Sequence, residues 1–264
     1  MPYAEVNDIR LYYEAHGQGE PLLLLHGATG AIGFDAVGWG ALRPAFAEQY
    51  RTFLIEHRAH GRTDNPAGRL SYAQIAGDVA AFVERLDLAP AHLAGFSDGA
   101  IVGLALGMAR PELLRSLVCV GANYRTDARL VADTNRVYDP AWMERRAPEW
   151  VAAMERHHDP HHEPGYWREL VRQLRAMLAA EPAFTEADRF ASLDQDWTPE
   201  QMGSLDQVLA MRRRIPRSEL LILNHAGLDG DAGHAVQHTR ADLVGPVMLE
   251  FLGRHARPAP AAGA

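Results

Sequence analysis

The sequence contains no lysine: all 26 basic residues among its 264 are arginines. This excludes a Schiff-base lysine, a pyridoxal-phosphate lysine and a Walker-type phosphate-binding lysine together. There is a single cysteine, Cys119, so neither an intrachain disulfide framework nor a cysteine zinc site can be built. Cys119 lies in an apolar run and reads as a buried core thiol, in keeping with a reducing, cytoplasmic setting. Positive charge is in deficit, and a formal net charge of −8 argues against a general nucleic-acid binder. Long apolar runs are missing too. The run Leu22-Leu23-Leu24-Leu25 has strand length, and Glu5, Asp8 and Arg10 come too early for a secretory leader. No membrane partner is expected.

What is present is ordinary globular composition, 47% apolar and 23% charged, in a chain long enough for one or two domains. Tyr3 to Glu14 alternates as edge strands do, with Ile9, Leu11 and Tyr13 on one face. Pro21–Leu25, Thr52–Ile55, Ala91–Ala94 and Leu117–Val120 are continuous apolar runs, the mark of strands buried on both faces. Between them, Tyr72 to Leu86 carries a helical stripe (Ile75, Val79, Phe82, Val83, Leu86) behind an N-cap at Ser71. A second helix, Ala100 to Ala109, is stopped by Pro111. This alternation predicts an α/β fold: a mostly parallel sheet flanked by helices.

From Tyr124 to Asp188 the pattern turns helical and polar, with Trp142, Trp150 and Trp167 interspersed, and reads as an inserted cap. A strand at Glu219–Leu223 and a helix at Ala241–His255 close the chain. The expected division is a core first part at 1–122, a helical cap at 123–188, a core second part at 189–256, and a flexible Pro/Ala/Gly-rich tail at 257–264.

Gly95-Phe96-Ser97-Asp98-Gly99 sits between a predicted strand and a predicted helix. In that context the pattern is a nucleophile elbow, lifting Ser97 above the carboxyl end of the sheet with a helix N-terminus behind it. His26-Gly27-Ala28 ends the first buried strand and should lie beside the elbow, so the backbone N–H groups of Ala28 and Asp98 form a candidate oxyanion hole. A serine nucleophile needs a general base. Of 13 histidines, His234 has the right place, in a loop after the last strand and before the last helix, with His225 and His238 as neighbours in contention. Candidate substrate-binding residues are His26, Gly27, Asp98, Trp142 and Trp150. The run His157-His158-Asp159-Pro160-His161-His162 has the look of a metal cluster, but Pro160 breaks its spacing and a solvated cap loop is expected instead. Arg212-Arg213-Arg214 reads as an exposed helix end.

With Leu22–Gly27, Glu56-His57-Arg58-Ala59-His60-Gly61-Arg62-Thr63, Gly95–Gly99 and Gly233-His234, the chain resembles the α/β-hydrolase superfamily, in its capped branch of esterases, lactonases and carbon–carbon bond hydrolases. Gly-Phe-Ser-Asp-Gly followed by Val120-Gly121-Ala122-Asn123 is similar to biphenyl hydrolase-like and valacyclovir hydrolase-like serine hydrolases. The resemblance implies an acid that orients the histidine. Asp196, in Asp194-Gln195-Asp196-Trp197-Thr198-Pro199, matches it, and Asp194, Asp229, Asp231 and Asp127 are alternatives. The apolar strand that should precede this loop is not legible. One core strand is therefore expected to be missing, leaving one fewer than the usual eight, with Asp196 held by a loop or by the start of a Pro199–Arg214 helix. The implied function is hydrolysis of a small carboxylic ester or lactone through an acyl-enzyme, with no cofactor or metal. The same site suits a carbon–carbon bond hydrolase or a lyase or cyclase, and the scaffold suits a non-catalytic binding protein. A homo-oligomer is compatible with all of these.

Overall fold

The computed structural model describes residues 2–184, 197–201, 205–215, 217–221 and 234–256. Strands β1 (Tyr3–Val6) and β2 (Ile9–His16) form an antiparallel hairpin at one edge. Strand β3 (Glu20–Leu25) follows, then helix α1 (Arg43–Ala47), β4 (Tyr50–Ile55), α2 (Tyr72–Arg85), β5 (Ala91–Phe96), α3 (Asp98–Ala109) and β6 (Leu114–Ala122). The cap contains α4 (Ala128–Val137), α5 (Pro140–Arg146), α6 (Pro148–His158) and α7 (Trp167–Ala180). After it come β7 (Trp197–Gln201), α8 (Leu205–Arg214), α9 (Val236–Thr239) and α10 (Ala241–Arg254).

The strand order is β1-β2-β4-β3-β5-β6-β7. Strands β4, β3, β5, β6 and β7 run parallel, and β2 pairs with β4 antiparallel. Leu22 to Leu25 are all buried because helices cover both faces of the sheet. Burying each such leucine contributes about 2 kcal/mol. Leu23 and Leu25 pack with Ile75, Val79 and Phe82 of α2, and Leu22 and Leu24 with Phe251 and Leu252 of α10. The apolar stripe on α2 and the Ser71 cap, whose side chain accepts from the Gln74 N–H, are as the sequence pattern predicts.

Among the described residues the sheet has seven strands, one fewer than eight, as expected from the sequence, but its far edge is built differently. Strand β7 pairs parallel to β6, Leu117 opposite Trp197 and Cys119 opposite Pro199, in the place where no strand was legible. Its residues, Trp-Thr-Pro-Glu-Gln, offer no apolar run. Backbone pairing to an already buried neighbour makes the strand, and β-propensity depends heavily on such context. Thr198 and Pro199 therefore belong to a strand, not to a loop or to the start of a Pro199–Arg214 helix; α8 begins at Leu205. Conversely, Glu219–Leu221 form no strand, and Ile222 and Leu223 lie outside the described residues. The Arg212-Arg213-Arg214 run is an exposed helix end.

The cap has its own packing. Met154, Trp167, Leu170, Val171 and Leu174 are buried between its helices and the core. Its histidine run is solvated only in part: Pro160 and His161 are exposed, while His157, His158 and His162 clamp the cap to the core. His158 is fully buried: its Nδ1 accepts from the Gly61 N–H (2.8 Å) and its Nε2–H donates to the Thr29 carbonyl (3.1 Å). His162 donates to the Gly61 carbonyl (2.9 Å) and stacks on Tyr166, while His157 stacks on Phe34 at 5.3 Å. Burial and neighbouring imidazoles push the His158 pKa down to about 3, so it is the neutral ring that holds cap to core. Among the described residues no group of three or more metal-ligating side chains is placed to hold an ion. No helix among them is long and apolar enough to cross a membrane.

Candidate active site

Ser97 stands between the last residue of β5 and the first of α3, at φ +53° and ψ −117°. A non-glycine residue there stores strain of about 1–3 kcal/mol, sustained only when its surroundings fix it. Two features fix it. The Ser97 N–H donates to the Val120 carbonyl of β6 at 2.7 Å. The flanking glycines let strand, helix and β3 close up: a Cβ on Gly95 would run into the Gly99 carbonyl, and one on Gly99 into the Leu25 carbonyl. Ser97 is the N-cap of α3, so the first, unpaired N–H groups of that helix follow it directly, and its side chain is not spent on capping them.

The sheet register sets Leu25 opposite Gly95, which brings the loop after β3 alongside the elbow. The Gly27 carbonyl there accepts from His26 Nδ1–H (2.7 Å) and from the Gly30 N–H (2.9 Å). In a trans peptide the Ala28 N–H then points the opposite way. No acceptor among the described residues takes it. The Asp98 N–H, first in its helix, has no helical acceptor either.

Ala28, Ser97 and His234 line one cavity of about 460 Å³. The His234 ring lies against Gly121 and 4.7 Å from the Phe96 ring. Gly121 has φ +70° and follows Val120 directly, so the end of β6 seats both the elbow and the histidine. The cap contributes Val137, Tyr138, Trp142, Met143 and Trp150, making the walls largely apolar, and Trp150 Nε1–H donates to Thr29 Oγ1 at 3.1 Å. Trp167 and Met154 are cap core instead.

Three of the expected substrate-binding residues are not on this cavity. His26 is buried, and its Nε2 accepts from the His57 N–H (3.1 Å); with its other nitrogen on the Gly27 carbonyl, it positions backbone. Gly27 donates its N–H to the Val37 carbonyl and gives space to Phe96. The Asp98 side chain turns inward, away from the substrate-binding role expected of it. Tyr72 Oη–H donates to its Oδ1 at 2.9 Å, and Oδ2 is buried with no hydrogen-bond partner among the described residues. Burial raises the Asp98 pKa to about 7, against the opposing pull of the Tyr72 hydroxyl. Trp142 and Trp150 do line the cavity, as does His238. Asp127 is exposed and caps α4 by accepting from the Leu130 N–H. Asp194, Asp196, His225, Asp229 and Asp231 lie outside the described residues. Sequence reasoning missed Thr29, Tyr72 and Arg146. Only Tyr72, which follows a helix cap, carried any local signal.

A strand–serine–helix turn at the carboxyl edge of a mostly parallel sheet, roofed by inserted helices, is the layout of a hydrolase fold. The family model described as alpha/beta hydrolase fold matches residues 20–213, and the chain belongs to that family. It is 38% identical over 130 residues to RutD of Azorhizobium caulinodans, a protein named for carbamate hydrolysis, covering 49% of this chain and 48% of RutD. It is 28% identical over 92% of its length to the dihydrolipoyllysine-residue acetyltransferase component of the acetoin cleaving system of Pseudomonas putida, of which 66% is covered. The chain thus spans about half of the first relative and about two thirds of the second. Among solved structures, the enol-lactonase of Burkholderia xenovorans superposes with a TM-score of 0.75 at 16% identity, covering 96% of this chain and all of that one. Est816, described as an N-acyl homoserine lactone degrading enzyme, gives 0.70 at 22% identity, covering 95% of this chain and 100% of that one. These likenesses concern the fold.

Proposed function

We propose that the protein is a serine hydrolase that cleaves a small carboxylic ester or lactone. The observation that carries this reading is the shared cavity of Ser97, held at positive φ, and the His234 ring. In the proposed reaction the Ser97 hydroxyl attacks the carbonyl carbon while His234 takes its proton. The carbonyl oxygen gains negative charge and is held by the Ala28 and Asp98 N–H groups. The tetrahedral adduct collapses, the alkoxide leaves with the proton from His234, and an acyl-serine remains. Water, deprotonated by the same histidine, then releases the acid and restores the serine. Asp196 is proposed as the group that fixes the imidazole tautomer. No step calls on a cofactor.

The apolar roof of Trp142, Met143 and Trp150 supports an acyl or leaving group of modest size. The test is turnover of p-nitrophenyl hexanoate by wild type and Ser97→Ala. Activity should drop by several orders of magnitude with an unchanged circular dichroism spectrum. Comparable turnover in the variant would overturn the covalent reading.

A further inference from the structure

The cavity around Ser97 has an electrostatic character at odds with the rest of the molecule. The chain carries a net charge of −8, yet among the described residues no carboxylate side chain lines this cavity. One permanent charge does: Arg146, in the last turn of α5. It shares a helix face with Trp142 and Met143, four and three residues earlier, and all three line the cavity. Among the described residues Arg146 has no ion-pair partner, and Glu144 is engaged by Arg168. Its neighbour Arg145 also complements the C-terminal end of α5 but does not line the cavity.

We propose that Arg146 makes this site selective for substrates bearing a carboxylate in addition to the scissile acyl group. This rests on the hydrolase reading above and names its substrate class. A guanidinium matches a carboxylate with two parallel N–H donors, and here no acid among the described residues competes for it. The apolar walls between Ser97 and Arg146 suit a short methylene spacer. Bound this way, the substrate's remote charge would hold its ester carbonyl at the serine.

The test compares p-nitrophenyl hexanoate with mono-p-nitrophenyl adipate, a pair differing by a terminal carboxylate, on wild type, R146Q and R146E. In R146Q, KM for the adipate monoester should rise about fivefold more than KM for the neutral ester does. R146E should raise it further, and R146K should restore part of the preference. Added salt should narrow the wild-type preference, because the contact is open to solvent. Calorimetric titration of adipate against 1,6-hexanediol gives a readout that needs no turnover. Adipate should bind wild type more tightly than R146Q. Turnover of both esters with the same preference in all variants overturns the inference and leaves the hydrolase reading standing. Arg146-dependent adipate binding without ester turnover sinks the hydrolase reading and retains the anion site. Adipate binding that is absent or equal in wild type and R146Q also overturns the inference.

Discussion

Gly121 leaves its Cα bare against the ring of His234, and any Cβ there would collide with that ring. The residue also sits at φ +70°, which a side chain tolerates poorly. Its neighbour Val120 holds the Ser97 N–H, so one dipeptide at the end of β6 sets the position of both proposed reacting groups. Gly121→Ala should therefore lower kcat by about a hundredfold, in line with the cost of slight misplacement of a catalytic group. It should also cost about 1–3 kcal/mol of stability through backbone strain. Chemical denaturation and ester kinetics on the same preparation check both. Full activity in a folded variant would mean that the His234 position is not critical.

His158 ties the cap to the loops that carry Thr29 and Gly61. His158→Phe leaves the Gly61 N–H and the Thr29 carbonyl buried without their partner. The expected loss is about 2–4 kcal/mol. Because the clamp joins cap to core, KM should suffer more than kcat, and limited proteolysis should begin within the cap.

The same histidines set an acid limit. Burial holds His26, His57, His60 and His158 below the ordinary value of 6.5, so they are neutral in the fold and protonate once unfolded. Their contribution is fully present above about pH 6.5 and is lost as pH falls below it. Glu56 and Asp98, each raised to about 7, act in the opposite sense: their folded forms take up protons first as pH falls. The depressed histidines, these four and His92 among them, outnumber the two raised carboxyls, which predicts a melting temperature that drops between pH 7 and pH 5. Replacing His158 with Gln should flatten that slope, as differential scanning fluorimetry across the range would show. An unchanged slope would remove His158 from the account.

Tyr72 donates the only hydrogen bond that the Asp98 carboxyl receives among the described residues. Tyr72→Phe should cost about 1–3 kcal/mol at pH 8.5, where the carboxylate is ionised and the bond is charge-assisted. At pH 5.5 the carboxyl is largely protonated and the cost should be smaller. Equal losses at the two pH values would show that the bond does not depend on the Asp98 charge.

The parts of the fold legible in the sequence were those whose signal is local. Continuous apolar runs marked β3 to β6, because burial on both faces leaves no alternation, and Gly95 and Gly99 marked the elbow because two close backbone approaches demand bare Cα atoms. What was hidden depends on contacts distant in sequence. Strand β7 has no apolar run and exists through its pairing with β6. His158 looked like a surface histidine until Gly61 and Thr29, 97 and 129 residues away, supplied its partners. His26, placed beside the elbow by its strand, proved to orient the Gly27–Ala28 peptide, a role carried by its ring nitrogens that no spacing reveals. Asp98 follows Ser97 directly, yet helix geometry turns its carboxyl inward to Tyr72.

The most direct test of the account is covalent capture of the proposed nucleophile, Ser97. Wild type, Ser97→Ala and His234→Ala would be incubated with a fluorophosphonate probe and read by intact mass and peptide mapping. A serine activated by His234 within the cavity predicts one adduct per chain in wild type, mapped to Ser97. It predicts none in Ser97→Ala and labelling slowed by orders of magnitude in His234→Ala. Folded wild-type protein that stays unlabelled, or an adduct at any other residue, would contradict it.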